Sequence, residues 1–159
     1  MSDLITALAT RDQPLATYKA LEKLVDQTIG ARLFTLMEID WDRRVARRSY
    51  SNMPDAYPTS GEKPMEPNVW SEQVLIRHQP FVANSIDDIA EVFGDHALIA
   101  SLGCQSCLNL PIVVGGVALG TLNCLHAAGH YTPERVAAAD ALKGPGAIAF
   151  LLAQSLRSG

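Results

Sequence analysis

The sequence predicts an α/β (α+β) protein built on one antiparallel sheet with helices on both faces. Three observations carry this. Helical periodicity near both ends of the chain encloses two pairs of strand-like runs. The second pair flanks Gly115-Gly116, a strong hairpin signal. Between the pairs lies a proline-rich stretch followed by short helices.

The elements follow in order. Leu15, Tyr18, Leu21, Leu24, Val25 and Thr28 recur at helical spacing, so a helix is predicted from about Pro14 to Thr28, with Gly30 as its stop. Residues 32–40 read as a strand and Val45 to Ser51 as its hairpin partner. Asn52 to Pro67 holds Pro54, Pro58, Pro64, Pro67 and Gly61, which argues against any regular element there. A helix is predicted from about Asn68 to His78, closed by Pro80. A short strand over 81–84 leads to a helix capped by Ser85 or Asp87, and another short helix covers 95–102. The long hairpin joins Cys107–Val114 to Val117–Leu125. Thr132-Pro133-Glu134 opens the last helix, which runs to about Arg157, and Gly144-Pro145-Gly146 is expected to kink or break it. The terminal helices would share one sheet face. The middle helices and the proline-rich loop would cover the other.

The 159 residues fit a single domain, 1–159. With 48% hydrophobic and 19% charged residues the chain is a globular type, long enough to bury a full core. A formal net charge of −4 argues against a nucleic-acid binder, because a phosphate backbone requires clustered cations. The one basic cluster, Arg43-Arg44-Val45-Ala46-Arg47-Arg48, reads as a solvated hairpin or as an anion or partner patch. No secretory signal opens the chain, and the apolar stretches around 110–125 and 147–152 are too short or too glycine-broken to span a bilayer. Three cysteines make no complete disulfide framework, which suits a cytoplasmic protein with reduced thiols. No P-loop, nucleophile elbow, dinucleotide motif or zinc-protease motif occurs, and Ser71-Glu72 and the histidines form no readable triad.

The hairpin register decides which residues face a common side. A two-residue turn would set Cys107 opposite Cys124 and mix polar with apolar positions. A three-residue loop with a glycine bulge shifts the pairing by one, so Cys107, Asn109, Thr121, Asn123 and Leu125 share a face. The second register separates polar from apolar residues and is preferred.

Several segments together resemble the GAF domain family. They are Pro80-Phe81-Val82-Ala83-Asn84-Ser85, then Leu102-Gly103-Cys104-Gln105-Ser106-Cys107-Leu108-Asn109-Leu110-Pro111-Ile112, then Gly115-Gly116-Val117-Ala118-Leu119-Gly120-Thr121-Leu122-Asn123, and finally Tyr131-Thr132-Pro133-Glu134. The resemblance covers a core of about residues 14–155. It implies a five- or six-stranded antiparallel sheet, a small-molecule pocket between sheet and central helices, and a sensor role as a stand-alone module. The positions matching the pocket-facing strand residues of ligand-binding members are Cys107, Asn109, Asn123 and Leu125.

Asn109 and Asn123 would then offer amides in an apolar pocket, or else only satisfy neighbouring backbone groups. Tyr57, Met65 and Trp70 are possible pocket walls or a lid, with core packing the alternative for Trp70. Only Lys63 and Arg77, at the edges, are basic in the lining segments, so the ligand is expected to be small and neutral or weakly polar. Glu38 and Asp40 share the parity of Phe34 and Leu36, which brings at least one carboxylate to the sheet interior or its end.

Cys104 and Cys107 have redox-pair spacing and could be catalytic, form a reversible disulfide, or pack as small buried thiols. One family group reduces free methionine sulfoxide with cysteines and two strand carboxylates. The matching positions here are Cys107 and Leu125, so both acidic grips are missing and the cysteine spacing differs. Zinc would require a second ligand pair, and no metal or cofactor is expected. The tetrapyrrole Cys-His motif and the cyclic-nucleotide signature are also absent. The apolar terminal helices suggest a homodimer, with no nucleic-acid or membrane partner.

Overall fold

The fold comes from a computed structural model that describes residues 2–59 and 61–158. Two helices, α1 (Ser2–Leu8) and α2 (Leu15–Thr28), lead into the hairpin of β1 (Leu33–Asp40) and β2 (Val45–Ser51). The central crossover contains β3 (Glu62–Pro64), α3 (Val69–Ser71) with a π-helical turn (Glu72–Ile76), β4 (Phe81–Ala83), α4 (Ile86–Ala90) and α5 (His96–Ser101). The long hairpin of β5 (Ser106–Val114) and β6 (Val117–His126) precedes α6 (Pro133–Ala138), a 3₁₀ turn (Ala139–Leu142) and α7 (Lys143–Ser158). The six strands form one sheet in the order β3-β2-β1-β6-β5-β4, every neighbouring pair antiparallel.

Residues paired directly across such a ladder point to the same face. Phe34, Leu36, Leu108, Leu110, Ile112, Leu122 and Cys124 therefore form one face. They pack against Tyr18, Leu21 and Val25 of α2 and Ala149, Phe150 and Ala153 of α7. The opposite face carries Leu33, Cys107 and Leu125 beneath Tyr57, Ile89, Ile99 and Cys104, and Ile39 and Ala118 beneath Val74 and Leu75. The terminal helices and the crossover thus cover opposite faces, as the element order requires.

The hairpin reaches its register by a different route from the one predicted. The turn is a two-residue one, with Val114 opposite Val117 and both glycines at positive φ (+60° and +78°). Those values define a type I′ turn, which L-residues with a Cβ adopt at a cost. The pairing then slips between Ile112 and Val113, because Leu119 is an extra residue in β6. Below this bulge Asn109 faces Asn123 and Cys107 faces Leu125.

Other boundaries differ in instructive ways. Residues 52–67 do contain a strand: β3 pairs with β2 at the sheet edge, where the missing N–H of Pro64 is not needed. The helix expected over 68–78 is one α turn, opened by an Asn68–Ser71 capping box and followed by the π turn. α1, not predicted, buries Leu4 and is joined to α2 through the Gln13 side chain, which donates to the Ala7 carbonyl at 2.7 Å. The break in the last helix falls at the 3₁₀ turn. Pro145 sits in the first turn of α7, where no intrahelical N–H bond is lost. The helical run Pro133–Ser158 is long and apolar enough to cross a membrane by length and composition, unlike the shorter stretches considered from sequence. Here it lies along the sheet and buries Pro145, Gly146, Ala149, Phe150 and Ala153.

Candidate functional site

On the crossover-covered face the bulge brings two asparagines together. Asn109 Nδ2 donates to Asn123 Oδ1 at 2.8 Å, and Asn123 Nδ2 donates to Thr35 Oγ1 on β1 at 3.2 Å. From the crossover, Trp70 Nε1 donates to Asn109 Oδ1 at 2.9 Å, and the Cys107 thiol lies 3.5 Å from the same oxygen. A polar line therefore runs across three strands under an apolar roof. The sequence reading placed these amides in an open cavity; in the structure they are engaged with one another, with Thr35 and with the indole.

The remaining predicted residues surround this line. Thr121, fully buried and two positions from Asn123 on the same face, has a hydroxyl without a partner among the described residues. Met65 and Trp70 pack on the cluster around Ile39 and Val74. Trp70 stands edge-on to Phe93 at 6.3 Å between ring centroids, and Phe93 edge-on to Phe81 at 5.9 Å. Tyr57 belongs to the neighbouring cluster with Cys104 and Cys107, and its hydroxyl donates to Asp95 Oδ2 at 2.5 Å.

Sequence reasoning missed Arg48. The basic cluster reads from sequence as a solvated hairpin or an anion or partner patch, and only Lys63 and Arg77 are expected to bring positive charge near the site. The β1–β2 bulge pairs Arg48 with Met37, and its guanidinium lies 4.9 Å from the Tyr57 ring centroid while donating to the Pro58 carbonyl at 3.1 Å. Burial holds its pKa below the usual arginine value. Parity on β2 alone could not place it, because the bulge at Ser49 resets the alternation.

Two more members of the basic cluster, Arg43 and Arg47, are matched by the protein's own carboxylates. Arg43 makes a bidentate pair with Glu62 at 2.7 Å, and Arg47 lies between Glu38 (3.6 Å) and Glu62 (3.7 Å). Glu38 is the interior carboxylate anticipated on the first strand. It is buried on the helix-covered face, paired with Arg157 of α7, with the Tyr18 hydroxyl 3.5 Å away. A cleft of about 450 Å³ between this ion pair, Asp40, Trp41 and Gln154 opens at that end of the sheet, and one of about 430 Å³ lies along α2 beside Glu22 and Tyr50. Neither is lined by Asn109 or Asn123.

The thiol-based alternative finds no support. All three cysteines are free and buried, and Cys107 and Cys124 lie in separate clusters on opposite faces. Burial pushes the Cys107 thiol up to about 12 and raises Cys104 and Cys124 as well, so none is a ready thiolate. His126 and His130 stack face to face, 3.7 Å between centroids, with a His130 ring nitrogen 2.7 Å from the Ile29 carbonyl oxygen. His126 Nδ1 accepts from the Ala127 N–H at 2.8 Å, and the described residues contain no group of three metal-ligating side chains.

Two measurements follow from burial. A thiol reagent at pH 8 should label native Cys107 and Cys124 only on unfolding, and immediate labelling would contradict their placement. Tyr18, raised to about 12 chiefly by burial and then by Glu38, and Cys107 keep their protons when folded, whereas the unfolded chain releases them near 10 and 9. The unfolded state then binds fewer protons, so stability should fall as pH rises from about 9 toward 12. A urea midpoint no lower at pH 10.5 than at pH 8 would contradict this.

One sheet, with terminal helices on one face and an irregular crossover roofing a polar line on the other, makes a small α+β domain. The chain belongs to the GAF domain family, whose sequence model matches residues 18–150. Solved structures agree in fold. The GAF domain of a two-component sensor histidine kinase from Bacillus halodurans is similar at 15% identity and a TM-score of 0.70, over 92% of this chain and 99% of that one. The GAF domain of a phosphoenolpyruvate-protein phosphotransferase from Coxiella burnetii is similar at 15% identity and a TM-score of 0.64, over 99% and 96%. The chromophore-binding domain of a bacteriophytochrome from R. palustris is similar at 9% identity and a TM-score of 0.63, over 99% of this chain and 59% of that one. No curated protein sequence matches this one.

Proposed function

We propose that the protein is a non-catalytic sensor that binds a small, neutral or weakly polar molecule between the sheet and the crossover, read by Asn109 and Asn123. The observation that carries this is the paired amides themselves. Asn109, buried, and Asn123, half-buried, face each other on a largely apolar sheet face, near a Thr121 hydroxyl that has no partner among the described residues. Buried polar groups cost stability unless they are satisfied, and an apolar pair would serve a purely structural sheet at least as well. Arg48 is held by the Tyr57 ring and the Pro58 carbonyl rather than by the amide line, which favours a ligand without a negative charge.

The test begins with mass spectrometry of any small molecule that co-purifies with the protein. Asn109→Leu with Asn123→Leu should abolish its binding, at least 100-fold in affinity, with the cooperative unfolding transition retained. Unchanged binding would show that the asparagines are only structural.

The same reading includes a two-fold dimer through the terminal helices, in a reducing compartment. Ile5 of α1, Leu15 of α2 and Leu151 and Leu156 of α7 are apolar and exposed, on elements whose other faces are already used. Light scattering at micromolar concentration should give twice the chain mass. A monomer there would overturn the dimer without touching the ligand site.

A further inference from the structure

We propose that Trp70 is a displaceable plug that occupies the ligand's place, and that the ligand is a planar heteroaromatic molecule with a ring N–H. This inference rests on the site proposed above and deepens it by naming the ligand's chemistry.

The indole already makes the contact that an incoming ligand would need. Its N–H meets Asn109 Oδ1 at 2.9 Å, and its ring stands against the edge of Phe93, which stands against Phe81. An acceptor oxygen at the end of an aromatic slot selects a flat ring with a donor at its rim. A second feature points the same way. The Thr121 hydroxyl, fully buried on the same face, has no partner among the described residues while Trp70 is in place. A ligand with a polar atom beyond the indole's reach would satisfy it.

Trp70 is also carried on an element suited to movement. α3 is a single turn held by the local Asn68–Ser71 capping box, and Val69 beside Trp70 is 84% exposed. The π turn over Glu72–Ile76 follows directly, closed by the Arg77 N–H to the Glu72 carbonyl. Such turns recur at functional sites, and returning one to α geometry shifts the register by one residue, a rotation of about 100° about the helix axis. That rotation would carry the indole off Asn109.

The plug has an affinity signature that a wall would not have. A wall residue touches the ligand, so its removal weakens binding. A plug competes with the ligand, so its removal raises apparent affinity by the reciprocal of the fraction of time the site was open. The experiment uses the full chain and follows the two indole N–H resonances, Trp41 and Trp70, during titration with benzimidazole. The Trp70 signal should move toward its solvent-exposed position while Trp41 stays fixed. 1-Methylbenzimidazole, which lacks the N–H, should bind at least tenfold more weakly, and Asn109→Leu should erase that difference. Trp70→Ala should bind benzimidazole at least fivefold more tightly than the parent chain. Trp70→Phe, which keeps the bulk but loses the donor, should fall between them and serves if the alanine variant does not fold. Weaker binding in both Trp70 variants, or equal binding of the methylated probe, would overturn the proposal. If neither probe binds while the leucine pair still strips a co-purified ligand, the plug fails and the site stands. If the leucine pair has no effect either, the site reading fails with it.

Discussion

Replacing Gly120 with alanine should lower stability by about 3 kcal/mol, one of the largest effects expected from a single methyl group in this protein. Gly120 follows the β6 bulge and faces α7 across from Ile112 and Glu38. A Cβ there would overlap the Met37 carbonyl oxygen and lie 2.7 Å from the Phe150 ring. The first obstacle is backbone of the adjacent strand and cannot swing aside; the second is a fully buried aromatic holding α7 to the sheet. For a domain of this size the loss corresponds to roughly 6–12 °C in Tm. Gly94, which has open space around it, is the control: Gly94→Ala should stay within about 0.5 kcal/mol of the parent. Thermal unfolding of both variants checks the claim, and a Gly120→Ala midpoint within 2 °C of the parent would contradict the close approach of β6 to α7.

The second large effect is an asymmetry at Glu38. Its side chain is 7% exposed, whereas those of Arg157 and Arg47 are 45% and 34% exposed. Removing both arginines, as Arg47→Met with Arg157→Met, strands a buried carboxylate and should cost about 3 kcal/mol. Removing the carboxylate instead, as Glu38→Gln, leaves two arginines free to turn to water and should cost about 1 kcal/mol. Adding Glu38→Gln to the double methionine variant should then recover most of the loss. Denaturant unfolding of the three proteins measures this. A Glu38→Gln variant as unstable as the double arginine variant would show that the charge is not the reason for the loss.

How much of this could be read from the chain varied by element, for physical reasons. α2 and β2 were legible to within a residue or two, because each has regular periodicity and a clear stop. β3 was hidden by Pro64 and the prolines around it, which are incompatible with a central strand but harmless at an edge. The helix at 68–78 looked regular because periodicity does not register the extra residue of a π turn. Arg48 was misplaced for a related reason: one bulged residue, Ser49, moves everything before it to the other face of the sheet.

The site followed the same division. The pairing of Asn109 with Asn123 was inferred correctly, because polar and apolar residues on two adjacent strands can be sorted onto faces by parity alone. Its cause was not. A three-residue loop and a two-residue turn with a bulge at Leu119 give the same lower register; Gly115-Gly116 favours the two-residue turn, but nothing in the sequence marks the bulge. Local patterning along this chain therefore determined the element order, the single antiparallel sheet and which strand residues share a face, since these depend on spacings of two and 3.6 residues. The bond from Trp70 to Asn109, 39 positions apart, and the burial of Glu38 under Arg157, 119 positions away, were decided only by tertiary structure. Contacts at such separations depend on how the crossover and the last helix settle on the sheet, and no local pattern encodes that.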